Sequence, residues 1–468
     1  MFKKLKNKYI GDKAFYKKVM LVAVPIMIQN GITNFVNLLD NIMVGRLGTV
    51  EMTGVTIVNQ LMFVFNLTIF GIISGAGIFT AQFYGKGDAK GIRETFRYKL
   101  MVSVIISLIG ILTMLFFGDE LIRLYLMGEG NADDIEGSFN FAKQYLGVAL
   151  IGILPFAVSQ CYSGTLRETG ETIVPMTAGI VSVCVNLVLN TLLIFGYLGF
   201  PRLGVVGAAI ATVISRFAEL FFVAYKTHSK KERYTFIAGA YKSLKIPAKL
   251  SFEITKKAIP LMLNETLWAG GMAVLVQCYS VRGYDVVSAL NINSTVGNVF
   301  NVSFIAMGSA IGIIIGQMLG RGDKEEAVSS VSKLIAFSLA LCTVVGIVMG
   351  AASPLFPLIY KTSDEIRSLA TKLIICSAVC MPMHSLANAC YFTMRSGGKT
   401  LVTFIFDSCF VWVISVPLAY FLSRYTNIPI VPLYFVCTAV DVIKCIIGVI
   451  MLKKGVWINN IVEDKNVN

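Results

Sequence analysis

The chain has 468 residues, of which 56% are hydrophobic and only 15% charged, and it carries a net charge of +14. So apolar a composition excludes a soluble domain, whose surface must face water, and suits a protein that faces lipid. The positive charge does not point to nucleic acid. With twelve spans and both termini inside, most Lys and Arg fall in cytoplasmic segments, the positive-inside bias of a membrane protein.

Apolar stretches recur along the whole chain, each near the ~20 residues that cross a bilayer. They predict spans at 19–39, 53–80, 100–117, 138–163, 173–195, 205–225, 259–281, 288–316, 333–352, 368–392, 401–423 and 431–452. Backbone polar groups in lipid must be satisfied within their own segment, so the spans are helices. The start of the chain is basic and then apolar, like a signal peptide. The apolar stretch from Val19 is full-length with no small-residue cleavage site after it, so it reads as an uncleaved first span. The expected organisation is a basic N-terminus (1–18), an N-lobe of six spans (19–225), a basic inter-lobe loop (226–257), a C-lobe of six spans (258–452) and a tail (453–468). The basic stretches at Lys3–Lys18 and Lys226–Lys257 are expected to meet anionic headgroups.

Span one carries the densest set of polar residues. Asn30, Asn34, Asn37 and Asn41 follow helical spacing, with Gln29, Thr33 and Asp40 beside them. Such a face is directed at protein or water, because each polar group costs free energy in lipid. Asparagines there can simply hydrogen-bond between helices. Asp40 favours a functional reading, since an ionised carboxylate needs a partner or a proton.

Span two ends in Ser74–Asp88, which recurs 235 residues later as Ser309–Asp323, including Gln82 and Gln317 and the turns Gly85-Lys86-Gly87-Asp88 and Gly320-Arg321-Gly322-Asp323. The same register links 23–91 to 258–326, so the chain is internally duplicated. The turns predict glycines at positive φ and aspartates capping the next helix. Six spans per half return the chain to its starting side, so the halves share one orientation and are expected to rock around a cavity between them.

Span five places Asn186 and Asn190 on one face, where amide oxygens beside a carboxylate either coordinate sodium or hydrogen-bond a protonated carboxyl. In span six Arg216 and Glu219, and in span twelve Asp441 and Lys444, stand three apart, a spacing that lets each pair neutralise itself along its own helix. Span seven holds Glu265 with Trp268 three residues on, an arrangement able to exchange protons or to hold an organic cation by charge and cation–π attraction. Met262, Met272, Met381 and Met383, with Phe35, Phe63 and Trp268, are candidates for an adaptable apolar lining or plain core. Asp407 in span eleven has no local partner and is open to proton handling or a structural bond, as are Asp441 and Lys444. His384 in span ten can titrate near physiological pH or serve structure.

The ten cysteines form no CxxC pair and read as small apolar filler. Cys376, Cys380 and His384 share a helical face, but no further ligand accompanies them, so neither a metal site nor a cofactor is expected.

Four segments in order resemble the multidrug and toxin extrusion (MATE) family. They are Asp40-Asn41-Ile42-Met43-Val44-Gly45-Arg46-Leu47-Gly48, the paired Gln82 and Gln317 motifs, Gly204–Thr212, and Pro417-Leu418-Ala419-Tyr420. The resemblance implies an all-α membrane protein of twelve helices, in two six-helix lobes about a pseudo-two-fold axis along the membrane normal. It implies a plasma-membrane antiporter, not an enzyme, that exports cationic or amphiphilic compounds against H+ or Na+. Carried over by position, Asp40, Asn186 and Thr212 match the family's N-lobe ion site, and Glu265 matches the C-lobe acid. Asn190 stands where many members carry a second aspartate, and His384 near where some carry an acid, so proton and sodium both remain open. The cavity is expected to draw on Asn30, Asn34, Asn37, Met262, Glu265, Trp268 and His384. The expected partners are small organic cations or amphiphiles and membrane lipid, without nucleic acid, and the chain is expected to act as a monomer with both termini cytoplasmic. A flippase for lipid-linked sugars is the runner-up within transport. An intramembrane enzyme lacks any HExxH or serine–histidine arrangement, and a receptor leaves the duplicated polar spans unexplained.

Overall fold

The computed structural model describes residues 9–126, 131–360 and 362–463. Lys3, Lys4, Lys6 and Lys8 of the basic N-terminus and residues 464–468 of the tail lie outside them. Among the described residues, twelve helices are long and apolar enough to cross a membrane. They are α1 (Lys13–Gly45), α2 (Thr49–Lys86), α3 (Ala89–Tyr125), α4 (Ala132–Glu168), α5 (Ile173–Phe195), α6 (Gly204–Ser229), α7 (Ala248–Ser280), α8 (Tyr284–Arg321), α9 (Lys324–Ala352), α10 (Asp364–Ser396), α11 (Thr400–Tyr425) and α12 (Ile430–Lys453). The twelve expected spans each fall on one of these helices, which run several residues further at most ends.

The duplication is written into the helix boundaries. Lys13–Gly45 and Ala248–Ser280 are both 33 residues long, and Thr49–Lys86 and Tyr284–Arg321 are both 38. The repeat shift carries each first helix onto its counterpart end for end. Pro25 and Pro260 occupy matching places inside α1 and α7.

The described residues divide into two compact units. One comprises those within Ile28–Thr80 and Ala89–Thr255. The other comprises those within Met1–Met27, Ala81–Asp88 and Lys256–Asn468, so the start of α1 and the last turns of α2 pack with the C-terminal half. This second unit has a core of Leu373, Ile374, Met381, Leu290 and Ala289, all at most a few per cent exposed.

The paired motifs meet within that second unit. A Cβ on Gly85 would lie 2.0 Å from the Gln317 carbonyl oxygen, and one on Gly320 would lie 1.9 Å from that of Gln82. The two glycines are repeat equivalents, and each allows its helix to touch the backbone of the other. The expected turns are present, with Gly87 at φ +79° and Gly322 at φ +87°. The expected aspartate cap fails at Asp323, which makes no side-chain capping bond to α9. Its carboxylate lies 3.6 Å from Arg321 instead.

Gln82 is fully buried, and the chain after α12 supplies part of its partners. Its Nε2 donates to the carbonyls of Ser396 (2.9 Å) and Asn459 (3.2 Å), and its Oε1 accepts from the Ile461 N–H (2.8 Å). Lys86 donates to the Val462 carbonyl at 3.2 Å. Trp457, 2% exposed, anchors this segment.

The chain after α6 also folds back, here onto α3 in the first unit. Arg97 donates to the carbonyls of Gly239 and Ala240, both at 2.8 Å, and Arg93 to that of Phe236 at 3.3 Å. Tyr234, Phe236, Ile237 and Ala240 are buried. Tyr234 donates to Glu171, which also pairs with Arg233 at 2.7 Å. Burial, and then the Glu171 carboxylate, push the Tyr234 hydroxyl up to about 12, so it stays a donor. The basic stretch after α6 is thus a folded strap whose backbone carbonyls accept from the arginines of α3.

Gly85→Leu and Gly320→Leu are expected to destabilise the protein by ~1–3 kcal/mol or more, because the atom each would strike is backbone. Gly87→Ala, in open space but at positive φ, is expected to cost only ~1–2 kcal/mol. Thermal unfolding of the purified variants in detergent checks the order.

Candidate ion-binding sites

Asp40 lies near the end of α1, half-buried, opposite the buried Asn186 and Asn190 of α5. The spacing of the two asparagines puts both amides on one helical face toward the carboxylate. Asn190 Nδ2 donates to Asp40 Oδ1 at 2.6 Å and lies 3.1 Å from Asn186 Oδ1. With its amide turned over, Asn186 Nδ2 also donates to Asp40, at 2.9 and 3.2 Å from the two carboxylate oxygens. Thr212 of α6 lies 3.4 Å from the Asn186 amide. Tyr145 of α4 closes the group, hydrogen-bonded to Asn59 at 3.4 Å and interacting with Thr212 and Asp40. Four residues expected at one site, Asp40, Asn186, Asn190 and Thr212, are therefore neighbours. Tyr145 and Asn59 were not foreseen, since a Tyr and an Asn in ordinary spans carry no distinguishing signal.

Asp40 is held by neutral amides, whose N–H groups suit an ionised carboxylate. The Asn190 Oδ1 is buried without a hydrogen-bond partner. An oxygen so placed is available to a small cation beside Asp40.

On the same α1 face, Asn30 and Asn34 are half-buried and Asn37 is exposed. They belong to the first unit. Met262, Glu265, Trp268 and His384 belong to the second.

In that second unit Glu265 is half-buried and feels both Arg395 and Asp407. Its neighbour Asn264, 2% exposed, donates to Asp407 Oδ2 at 3.1 Å and to the Tyr391 hydroxyl at 3.3 Å. Ser408 returns a bond to Asn264 Oδ1 at 2.8 Å. Asp407 sits in a π-helical turn of α11, Ile405–Cys409, a departure from α geometry that is frequent at functional positions.

The self-neutralising Asp441–Lys444 pair requires correction. Lys444 donates to Asp407 across helices, and Asp441 pairs with His384 at 3.5 Å. Lys444 still lies in the field of Asp441. Three spacing permits an ion pair along a helix, but Asp407 faces Lys444 from α11 at hydrogen-bond distance. Asp407, without a partner in its own span, has one in the next. Arg216 and Glu219 remain electrostatic neighbours, with Arg216 also donating to the Gly152 carbonyl at 3.3 Å.

Sequence reading missed one buried pair altogether. Lys99, fully buried in α3, is ion-paired with Glu168 at the end of α4 and lies 3.2 Å from the Thr165 hydroxyl. A Cβ on Gly77 would lie 2.0 Å from Glu168 Oε1, so glycine there makes room for the carboxylate. The expected third and fourth spans stopped at residues 100 and 163, which left both charges outside. Among the described residues, no three His, Cys, Asp or Glu are grouped to hold a metal.

Lys99→Met is expected to destabilise the protein by ~3–5 kcal/mol, since it takes the ammonium away from the buried Glu168 carboxylate. Lys99→Met with Glu168→Gln is expected to recover most of that. Melting temperatures of the single and double variants in detergent decide it.

The sequence pattern of the MatE family matches residues 25–192 and 260–421, one copy in each repeat. The chain is 26% identical over 449 residues to the probable multidrug resistance protein NorM of Thermotoga maritima, covering 94% of this chain and 93% of that protein. It is 24% identical over 420 residues to the probable multidrug resistance protein YoeA of Bacillus subtilis, covering 89% and 88%. Two solved structures share its fold at 20% identity. One is MATE in the straight conformation (TM-score 0.85, covering 96% of this chain and 97% of that one). The other is the outward-facing conformation of a multidrug resistance MATE family transporter (TM-score 0.84, covering 95% and 96%). Twelve spanning helices, a duplicated MatE pattern over most of the chain and a shared fold lead to one conclusion: this chain belongs to the MATE family of membrane transporters.

Proposed function

We propose that the chain is a secondary antiporter that exports cationic or amphiphilic compounds across the plasma membrane in exchange for H+ or Na+. The observation that carries this reading is Asp40, a carboxylate at membrane depth held by two neutral amides rather than by a cation. A group so placed can gain and lose a small cation without breaking an ion pair. Names of relatives as multidrug resistance proteins support the choice of cargo.

Two other buried cations favour the same cargo. Lys99 is matched by Glu168, and Lys444 by Asp407. Neither offers a free positive group for the pyrophosphate of a lipid-linked sugar, which weakens the flippase alternative. Exchange follows if H+ or Na+ at Asp40 stabilises one conformation and cargo stabilises another, since each ligand then displaces the other through the shared equilibrium. The oxygen set around Asp40 suits sodium, and the carboxylate alone suits a proton. The positive-inside distribution of Lys and Arg supports a cytoplasmic position for both termini.

The test is ethidium efflux from proteoliposomes under an imposed pH gradient or an imposed sodium gradient. Efflux driven by one gradient is expected for the native chain and names the ion. Asp40→Asn is expected to reduce efflux to the level of empty liposomes while the protein remains folded. Unimpaired efflux by Asp40→Asn would remove Asp40 from the mechanism.

A further inference from the structure

The two halves of this duplicated chain treat their buried acids differently. In the N-terminal half Asp40 faces the amides of Asn186 and Asn190. In the C-terminal half Asp407 faces the ammonium of Lys444, which is 7% exposed. Asp441 adds a second carboxylate to the field at that ammonium. The rings of Phe406 and Phe410 present their faces to it, with centroids at 5.5 and 5.9 Å. Asn264 donates to the other Asp407 oxygen at 3.1 Å. Carboxylate oxygens and aromatic faces around one positive charge make a cation site, and here the cation is attached to α12.

The charge balance around it is close. Lys444 and Arg395 stand against Asp407, Asp441 and Glu265, and His384 lies 3.5 Å from Asp441. Removing the ammonium would leave the acids in clear excess in a space already shaped for a small cation. Held by its own chain, the ammonium occupies the site without the association entropy that a dissolved ion must give up.

We propose that Lys444 is a built-in cation. It fills the acidic site of the C-terminal half and confines exchangeable-cation binding to the half that holds Asp40. This inference rests on the antiport reading and adds its stoichiometry: one ion site per chain remains open to solution. Lys444 is a specificity-determining residue in this account, because it decides which half can respond to sodium.

Melting temperature of the purified full chain in detergent, with sodium chloride against choline chloride at equal ionic strength, tests the proposal without any transport step. Asp40→Asn is expected to melt at the same temperature in both salts. Asp40→Asn with Lys444→Met is expected to melt several degrees higher in sodium than in choline, because an emptied site binds the ion in the folded state only. Adding Asp407→Asn is expected to abolish that difference, and Asp40→Asn with Lys444→Arg, which keeps the charge, is expected never to show it. A sodium response in Asp40→Asn alone would overturn the proposal, as would its absence in folded Asp40→Asn with Lys444→Met. If that double variant folds only when sodium is present, the proposal stands. If it folds in neither salt, the proposal falls. Failure of ethidium efflux in the native chain would remove the antiport reading and leave the melting result to decide the role of Lys444.

Discussion

The structure depends on a backbone-to-backbone crossing that only glycine permits. Gly85 meets the Gln317 carbonyl, and Gly320 meets that of Gln82. Two long helices, equivalent by repeat, thereby approach at their matching ends with no side chain between them. The approach explains why the most similar stretch of the two halves is neither an ion site nor a cargo site. Residues packed against their own repeat equivalents see the same surroundings twice, so both copies are held to the same solution. Elsewhere the copies meet different neighbours and are free to diverge.

The ion sites show that divergence. Asp40 has no acidic counterpart at its repeat position, which is Leu275, and Glu265 falls opposite Asn30. Each half carries acids at membrane depth, but on different helices and against different partners. Neutral amides leave a carboxylate able to respond to solution. An ammonium at hydrogen-bond distance satisfies it in place, at a desolvation cost already met on folding. A duplicated fold thus need not have duplicated chemistry.

Much of the architecture was legible in the sequence because lipid imposes simple rules. Span length, the basic bias of connecting segments and the 235-residue register required no knowledge of packing. The Asp40 group was legible for a similar reason: Asn186 and Asn190 stand one turn apart in an otherwise apolar helix, and polar groups there need partners. Lys444 with Asp407 was not legible, since its partner lies on another helix and spacing favoured Asp441. Lys99 with Glu168 was hidden by helices that outrun their apolar stretches. The bonds of Gln82 to Asn459 and Ile461 had no sequence signal, because backbone partners leave no trace in residue identity.

Those last bonds bear on the order in which the chain is made. Gln82 sits in the second helix, yet the N–H that satisfies its Oε1 comes from a residue 379 positions later. At ~5–20 residues per second the ribosome needs roughly 20–75 s to reach it. Throughout that interval the end of α2 is already in place with a polar amide whose final partners do not exist. Insertion of helices can proceed one by one, but this junction closes only after the last span has been delivered. The junction waits on the segment around Trp457, which fastens the end of α2 to the chain that follows α12.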